Sequence, residues 1–343
     1  MEITRIDGSM GEGGGQVLRT SLTLAMLQGK KLEITNIRAN RKKPGLMRQH
    51  LTCIQAAKAV SNAKVEGDEL GSDCISFEPN SVQAGEYEFS IGTAGSTVLV
   101  CQTILLPLLL ANEKSTVLLE GGTHNGLSPS LTFFEESYLK ALGQFGISAD
   151  IKKMAIGFNP AGGGKWQIQI TPIPLLNSAH FKTQAEVLVD QSNCEIETLI
   201  SGVSRSIATR EITATRKKLG WFDAQSKIEH VDSIGSGNSL HMKVMNEPVT
   251  TIFETVGQYG ISAERVAARC AGRMKAFLKS GAAIEEHLAD QLLLPMALAG
   301  KSSMLTTKPS SHTLTNIRVI EIFTGKQILT TQIDENLWEI SVC

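Results

Sequence analysis

Apolar positions along the chain fall into patterns that recur in a fixed order. Three stretches are apolar nearly all round and open on small residues. They are VLRTSLTLAMLQG after Gly13-Gly14-Gly15-Gln16, TVLVCQTILLPLLLA after Gly92-Thr93-Ala94-Gly95-Ser96, and HLADQLLLPMALAG at 287–300. A helix with no polar face has no side to offer water, so the pattern predicts three buried helices. After each comes a short polar link and a strand-like run: LEITNIR, STVLLEGG or SMLTTKP. A polar loop follows, then an amphipathic helix, expected over 45–60, 130–145 and 314–323. Each unit closes on two strand signals, with alternation such as Trp166-Gln167-Ile168-Gln169-Ile170, the period of a half-buried strand. One supersecondary unit is used three times.

The spacing between units is uneven. Gly29 to Asn112 is about 83 residues and Asn112 to Gly300 about 188, so roughly 105 residues are inserted between the second and third units. The extra segment, bounded near Asn177 and Lys279, has its own order: EVLVD at 186–190, a strand running into a helix across 196–220, LHMKVM, TTIFETVG, and a helix over 263–278. The expected fold class is therefore α/β (α+β). A large discontinuous domain of repeats would comprise residues 1–178 and 280–343, with a smaller α/β domain inserted at 179–279.

Composition narrows the function. Apolar residues make up 42% and charged residues 20%, which excludes a disordered or fibrous chain. Lys plus Arg number 33 against 34 Asp plus Glu, so there is no global positive field with which to coat nucleic acid. The six cysteines are scattered with no CxxC pair, as expected for thiols in a reducing cytosol. The longest apolar run, 104–111, is too short to span a bilayer. With no targeting signal in view, a soluble cytoplasmic protein is expected.

Five features could carry chemistry. Gly11-Glu12-Gly13-Gly14-Gly15-Gln16 opens a helix, where backbone N–H groups and the helix N-terminus favour an anion. A tight turn needing positive φ is the alternative. Glu12 would suit such a site if a divalent cation bridged it to a phosphate. Second, residues 34–65 contain no carboxylate, yet hold Arg38, Arg41, Lys42, Lys43, Arg48, Lys58 and Lys64. That run is either a solvated face or a phosphate-binding loop, for which Arg is suited. Gly162-Gly163-Gly164, between two strand signals, reads first as a hairpin or bulge. His312 occupies a loop equivalent to the Arg-rich loop of unit one and to Thr123-His124-Asn125 of unit two. Finally, Asp290 and Gln291 open the third buried helix. Capping accounts for them unless Asp290 lies near His312.

Together these segments resemble the RNA 3′-terminal phosphate cyclase family. The resemblance is carried by Asp7-Gly8, GEGGGQ with Leu18-Arg19, and Ile37-Arg38-Ala39-Asn40-Arg41 with Pro44-Gly45-Leu46 and Gln49-His50. It continues through Gly92-Thr93-Ala94-Gly95-Ser96 to Gln102, Gly157-Phe158-Asn159-Pro160-Ala161-Gly162-Gly163-Gly164, Leu288-Ala289-Asp290-Gln291 and Ser311-His312-Thr313-Leu314-Thr315-Asn316. It spans nearly the whole chain, more weakly across the insertion. Ile156 stands where the family usually has a basic residue.

The resemblance implies three repeats, each a four-stranded sheet with two helices, and a smaller inserted domain. It also implies a three-step reaction with ATP and a divalent cation, Mg or Mn: adenylylation of a histidine, transfer of AMP to an RNA 3′-phosphate, and attack by the 2′-OH to give a 2′,3′-cyclic phosphate. By motif match His312 is the nucleophile and Asp290 its partner or a ribose contact. Arg19 and Gln102 hold the ATP phosphates, and Glu12 is the metal ligand. Arg38 and Arg41 bind the RNA 3′-phosphate, while Pro129, Phe133 and His287 frame the adenosine, with Gln291 also in the ATP site. The partner implied is RNA with a 3′-phosphate end, and no obligate protein partner is implied. Two other classes compete: a non-catalytic ribosome-assembly relative of the same fold, against which His312 speaks, and an enolpyruvyl transferase, whose repeats share only general topology.

Overall fold

The computed structural model describes residues 3–182 and 190–343. Unit one runs β1 (Ile3–Asp7), α1 (Gly15–Gln28), β2 (Lys31–Thr35), α2 (Arg48–Ser61), β3 (Lys64–Glu66) and β4 (Ile75–Glu78), with sheet order β1-β2-β4-β3. Unit two runs β5 (Glu86–Ser90), α3 (Thr97–Leu109), β6 (Ser115–Gly121), a helical stretch over 131–145, β7 (Ala149–Ala155) and β8 (Gly164–Ile170). Its order is β5-β6-β8-β7. In both sheets the first two strands are parallel and the remaining pairs antiparallel.

Strand β9 (His180–Phe181) comes next, and the chain then leaves for a fourth sheet. That sheet holds β10 (Cys194–Ser201), β11 (Gln225–His230), β12 (Gly237–Met245) and β13 (Thr250–Val256), ordered β11-β10-β12-β13. The helices Arg205–Leu219 and Ala263–Ser280 accompany it. The chain returns through the helix Glu286–Ala299, β14 (Ser303–Thr306), the helix Ser311–Thr324, β15 (Ile328–Asp334) and β16 (Leu337–Val342). Here β14 lies parallel to β9 and antiparallel to β16, so the third sheet repeats the topology of the other two. The mixed α/β repeat fold is as expected. Its third sheet takes a strand from His180–Phe181, within the span assigned to the insert.

Burial explains the pattern. Leu22, Leu24 and Ala25 of α1, Ile104, Leu105 and Leu108 of α3, and Leu288, Leu292 and Leu293 of Glu286–Ala299 belong to one apolar cluster running through all three units. A second cluster, with Trp221, Leu240, Met242, Met274 and Phe277, fills the fourth sheet and its helices. Ile156 is buried with Phe158 and Leu199 in a small seam between β7's end and β10. An apolar residue at that position is therefore a packing feature of this chain.

Local chemistry moved several boundaries. The helix expected at 314–323 begins at Ser311, because the Ser310 hydroxyl caps it by accepting the Thr313 N–H. His312 thus sits in the first turn of a helix, not in a loop. The helix expected from residue 45 begins at Arg48, since Gly45 holds φ 76°. The helical stretch over 131–145 passes through a π segment, Phe134–Leu139. Residues 186–189 of the strand expected at 186–190 lie outside the described residues. Gly162-Gly163-Gly164 is the hairpin reading: Gly162 and Gly163 hold φ near 70° between β7 and β8. No helix among the described residues is long and apolar enough to cross a membrane.

Candidate active site

A cavity of about 520 Å³ opens where the three units and the fourth sheet meet. Of the residues singled out from sequence, Arg19, Gln102, Pro129, Phe133, His287, Asp290, Gln291 and His312 line it. Glu12, Arg38 and Arg41 do not line it, but Glu12 and Arg41 stand beside His312.

His312 is held at one nitrogen. Its Nδ1 lies 2.8 Å from Glu12 Oε1 and 3.2 Å from Gln16 Oε1. A carboxylate and an amide oxygen can only accept, so Nδ1 carries the proton and Nε2 keeps a lone pair. Half of the side chain's surface is open. Arg41 Nη2 donates to the same Glu12 oxygen at 2.9 Å.

Asp290 reaches His312 through a third residue. Gln16 Nε2 lies 2.6 and 2.7 Å from the two Asp290 carboxylate oxygens, while its own Oε1 faces His312. Asn316 Nδ2 also donates to Asp290, at 3.2 Å to Oδ1 and 3.1 Å to the backbone carbonyl. Burial raises the Asp290 pKa above the usual carboxylate value, against the pull of Gln16, His312, Asn316 and Arg19. Asp290 therefore orients Gln16, and Gln16 orients His312. Motif matching had named the two ends of this chain and given its middle no role.

The glycine-rich turn makes the approach possible. Gly11 and Gly13 both hold φ 58°, so the turn reading stands. A Cβ on Gly11 would strike Thr315, and one on Gly14 would lie 2.8 Å from Arg41 Nη2. Gly14 precedes helix α1 and offers no side-chain cap, so the first N–H groups of the helix suit an anion. One turn on, burial lowers the Arg19 pKa, while Cys53, Asp290 and Glu12 pull it back. His50, packed near Arg19 and Arg38, is pushed down to about 3, first by burial and then by those two cations. It is neutral at working pH and accepts the Met47 N–H through Nδ1.

The acid-free loop does two jobs. Arg38, at φ 56°, folds back so that Nη1 donates to the Lys43 and Gly45 carbonyls, both at 2.7 Å. It braces the loop that presents Arg41. On the far side of the cavity Gln102 donates to Gln291 Oε1, and Gln291 Nε2 to the His287 carbonyl. Phe133 is buried in the first turn after Ser130, with Pro129 just ahead of that cap.

Sequence reading missed the fourth sheet's share of the wall. Ile252, Glu254 and Thr255 of β13 line the cavity, as do Arg269 and Arg273 of the helix Ala263–Ser280. Arg273 lies 5.2 Å from the centre of the Phe253 ring. Alternation along TTIFETV was visible, but nothing in it tells which neighbour the strand faces. Among the described residues no group of three or more His, Cys, Asp or Glu is set to hold a metal ion.

Comparison with known proteins agrees across the chain. The sequence profile of the family described as RNA 3′-terminal phosphate cyclase matches residues 10–329. The chain is 42% identical to the RNA 3′-terminal phosphate cyclase of Ectopseudomonas mendocina over 99% of this chain and 98% of the relative. It is 43% identical to the protein of that name from Koribacter versatilis over 93% and 89% of the two lengths. For the Salmonella typhimurium protein of the same name the identity is 40%, over 94% and 93%.

Proposed function

The chain belongs to the RNA 3′-terminal phosphate cyclase family, a family of enzymes, and from that premise we propose that it converts an RNA 3′-phosphate to a 2′,3′-cyclic phosphate with ATP, through a covalent histidine–AMP. The observation that carries the mechanism is the state of His312: its Nδ1 proton is engaged by Glu12 and Gln16, so Nε2 is the nucleophile.

In the first step Nε2 attacks the α-phosphorus of ATP, the new P–N bond forms, and pyrophosphate leaves. Glu12 and the Asp290–Gln16 pair stabilise the charge that builds on the imidazole. Arg19 and Gln102 hold the phosphates, with the α1 N-terminus beside them. In the second step an oxygen of the RNA 3′-phosphate attacks the same phosphorus and the P–N bond breaks, leaving AMP on the RNA end. Arg41, presented by the Arg38-braced loop, binds that phosphate. In the third step the neighbouring 2′-OH attacks the terminal phosphorus, loses its proton and expels AMP. Pro129, Phe133 and His287 frame the adenosine, and Gln291 supports Gln102.

A divalent cation fits the donor set through Glu12. Both of that residue's contacts fall on Oε1, and Mg²⁺ typically takes one or two carboxylates with phosphates and water. Such an ion would offset phosphate charge when bound. The same reading puts the protein in the cytoplasm and the end of the inserted domain near residue 279, with its start after the repeat strand His180–Phe181.

Incubation with ATP labelled at the α-phosphate and a divalent metal tests the proposal. A covalent nucleotide adduct is expected, abolished in His312→Ala and retained in His287→Ala. Loss in the 287 variant alone would remove His312 from the role.

A further inference from the structure

The cavity has two chemically distinct ends. Gln16, Asp290, His312 and Asn316 form one hydrogen-bonded group. The other end, against unit two and β13, brings together the apolar side chains of Leu106, Phe133, Tyr138 and Ile252, with Arg269 and Arg273 also in the lining. Among the described residues two acids line the cavity, Asp290 at the first end and Glu254 at the second.

Glu254 is fixed in place. Its Oε1 accepts the Ser130 backbone N–H at 2.9 Å and its Oε2 the Ser130 hydroxyl. Ser130 is the cap of the helical stretch that carries Phe133, so the carboxylate and the ring are registered to each other. On the sheet side Glu254 pairs in register with His241, whose Nε2 is 3.7 Å from Oε2 and 3.0 Å from the Ser239 hydroxyl. Glu254 and Ile252 are two apart on one strand and share a face. The Glu254 side chain keeps 19% of its surface open in a cavity that Phe133 and Ile252 also line.

We infer that Glu254 is the base-reading group of the nucleotide site. Its carboxylate accepts from the exocyclic amine of an aminopurine whose ring lies against Phe133 and Ile252. The assignment rests on the function proposed above. An ionised carboxylate has four acceptor sites and no donor, so it welcomes the 6-amino group of adenine. A carbonyl at that position, as in hypoxanthine, would set two acceptors face to face in a confined site. Sites built on one buried polar pairing reject the analogue lacking it more strongly than apolar pockets do.

The test compares the rates of adduct formation from α-labelled ATP and ITP at subsaturating nucleotide. Wild type is expected to favour ATP at least tenfold. Glu254→Gln keeps an acceptor for the Ser130 N–H and adds an amide donor, so its preference should fall to within about threefold, with ITP improved in absolute terms. Ser130→Ala frees one carboxylate oxygen and should lower the preference in part. A wild type indifferent to the two nucleotides overturns the assignment, as does a labelled Glu254→Gln protein that keeps the wild-type ratio. If Glu254→Gln does not fold, an undiminished ratio in Ser130→Ala overturns it. Failure of wild type to form an adduct with any nucleotide overturns the function proposed for the site instead.

Discussion

His312 and His124 occupy corresponding places in units three and two, near the start of each unit's second helix, and the chain uses them in opposite ways. His312 is half open, with Nδ1 against Glu12 and Gln16. His124 is fully buried, with Nδ1 2.9 Å from the Thr123 hydroxyl and Nε2 3.1 Å from the Thr132 hydroxyl. The Thr123 oxygen also accepts the Gly157 N–H, so the same hydroxyl ties the ring to the backbone. Burial, then His241 and Lys153, drives the His124 pKa well down, against the pull of Glu197. A repeated fold thus supplies a repeated position, while acids and exposure decide whether the imidazole there can react.

The widest separation between the two should appear in the adduct assay. His312→Ala is expected to lower covalent labelling at least 10³-fold, as removal of a nucleophile does, while His124→Ala labels normally. An equal loss from both would erase the distinction. Stability should show the reverse order. His124→Ala strands two threonine hydroxyls and leaves a void, costing about 2–4 kcal/mol in urea denaturation, whereas the half-open His312 should cost under about 1 kcal/mol.

Glu211 extends the comparison to a sealed acid. It is fully buried, takes one hydrogen bond from Asn238 Nδ2 at 2.7 Å, and has its pKa pushed up to about 7 by burial. The folded state therefore holds a proton that the unfolded chain releases near 4.5. That stabilisation is complete below 4.5 and lost as pH rises through 7. Glu211→Gln should flatten the profile, gaining about 2–3 kcal/mol over wild type at pH 8 and almost nothing at pH 4. A parallel pair of pH–stability curves would exclude this role.

Arg41→Ala gives the smallest effect. It should slow use of a 3′-phosphate RNA about tenfold at fixed adduct level, the scale of one charged hydrogen bond, and change adduct formation less. Equal slowing of both steps would move Arg41 to the nucleotide.

Much of this arrangement is readable along the chain, and the unread parts share a cause. The three buried helices announce themselves by being apolar nearly all round, and the paired closing strands by the period that burial of one face imposes. Strand β5, EYEFS, alternates as well, with Glu86 and Glu88 exposed and Tyr87 and Phe89 half-buried, but five residues with no fully buried position make a faint signal. Strand β9 is two residues long and exists only because β14 pairs with it. Motifs marked His312, Asp290 and Arg19. The Gln16 relay and the Ser130–Glu254 clasp join residues 274 and 124 apart, distances at which no local pattern operates.

The strand His180–Phe181 has a consequence for synthesis. It must wait for β14, 123 residues later, before the third sheet can close, so the whole inserted segment is made while that edge stands unpaired. His312 emerges later still, and its partner Gln16 came 296 residues before it. A ribosome-bound chain can therefore hold units one and two before the His312–Gln16 contact can form. The His312 cluster is completed only with the last stretch of the chain.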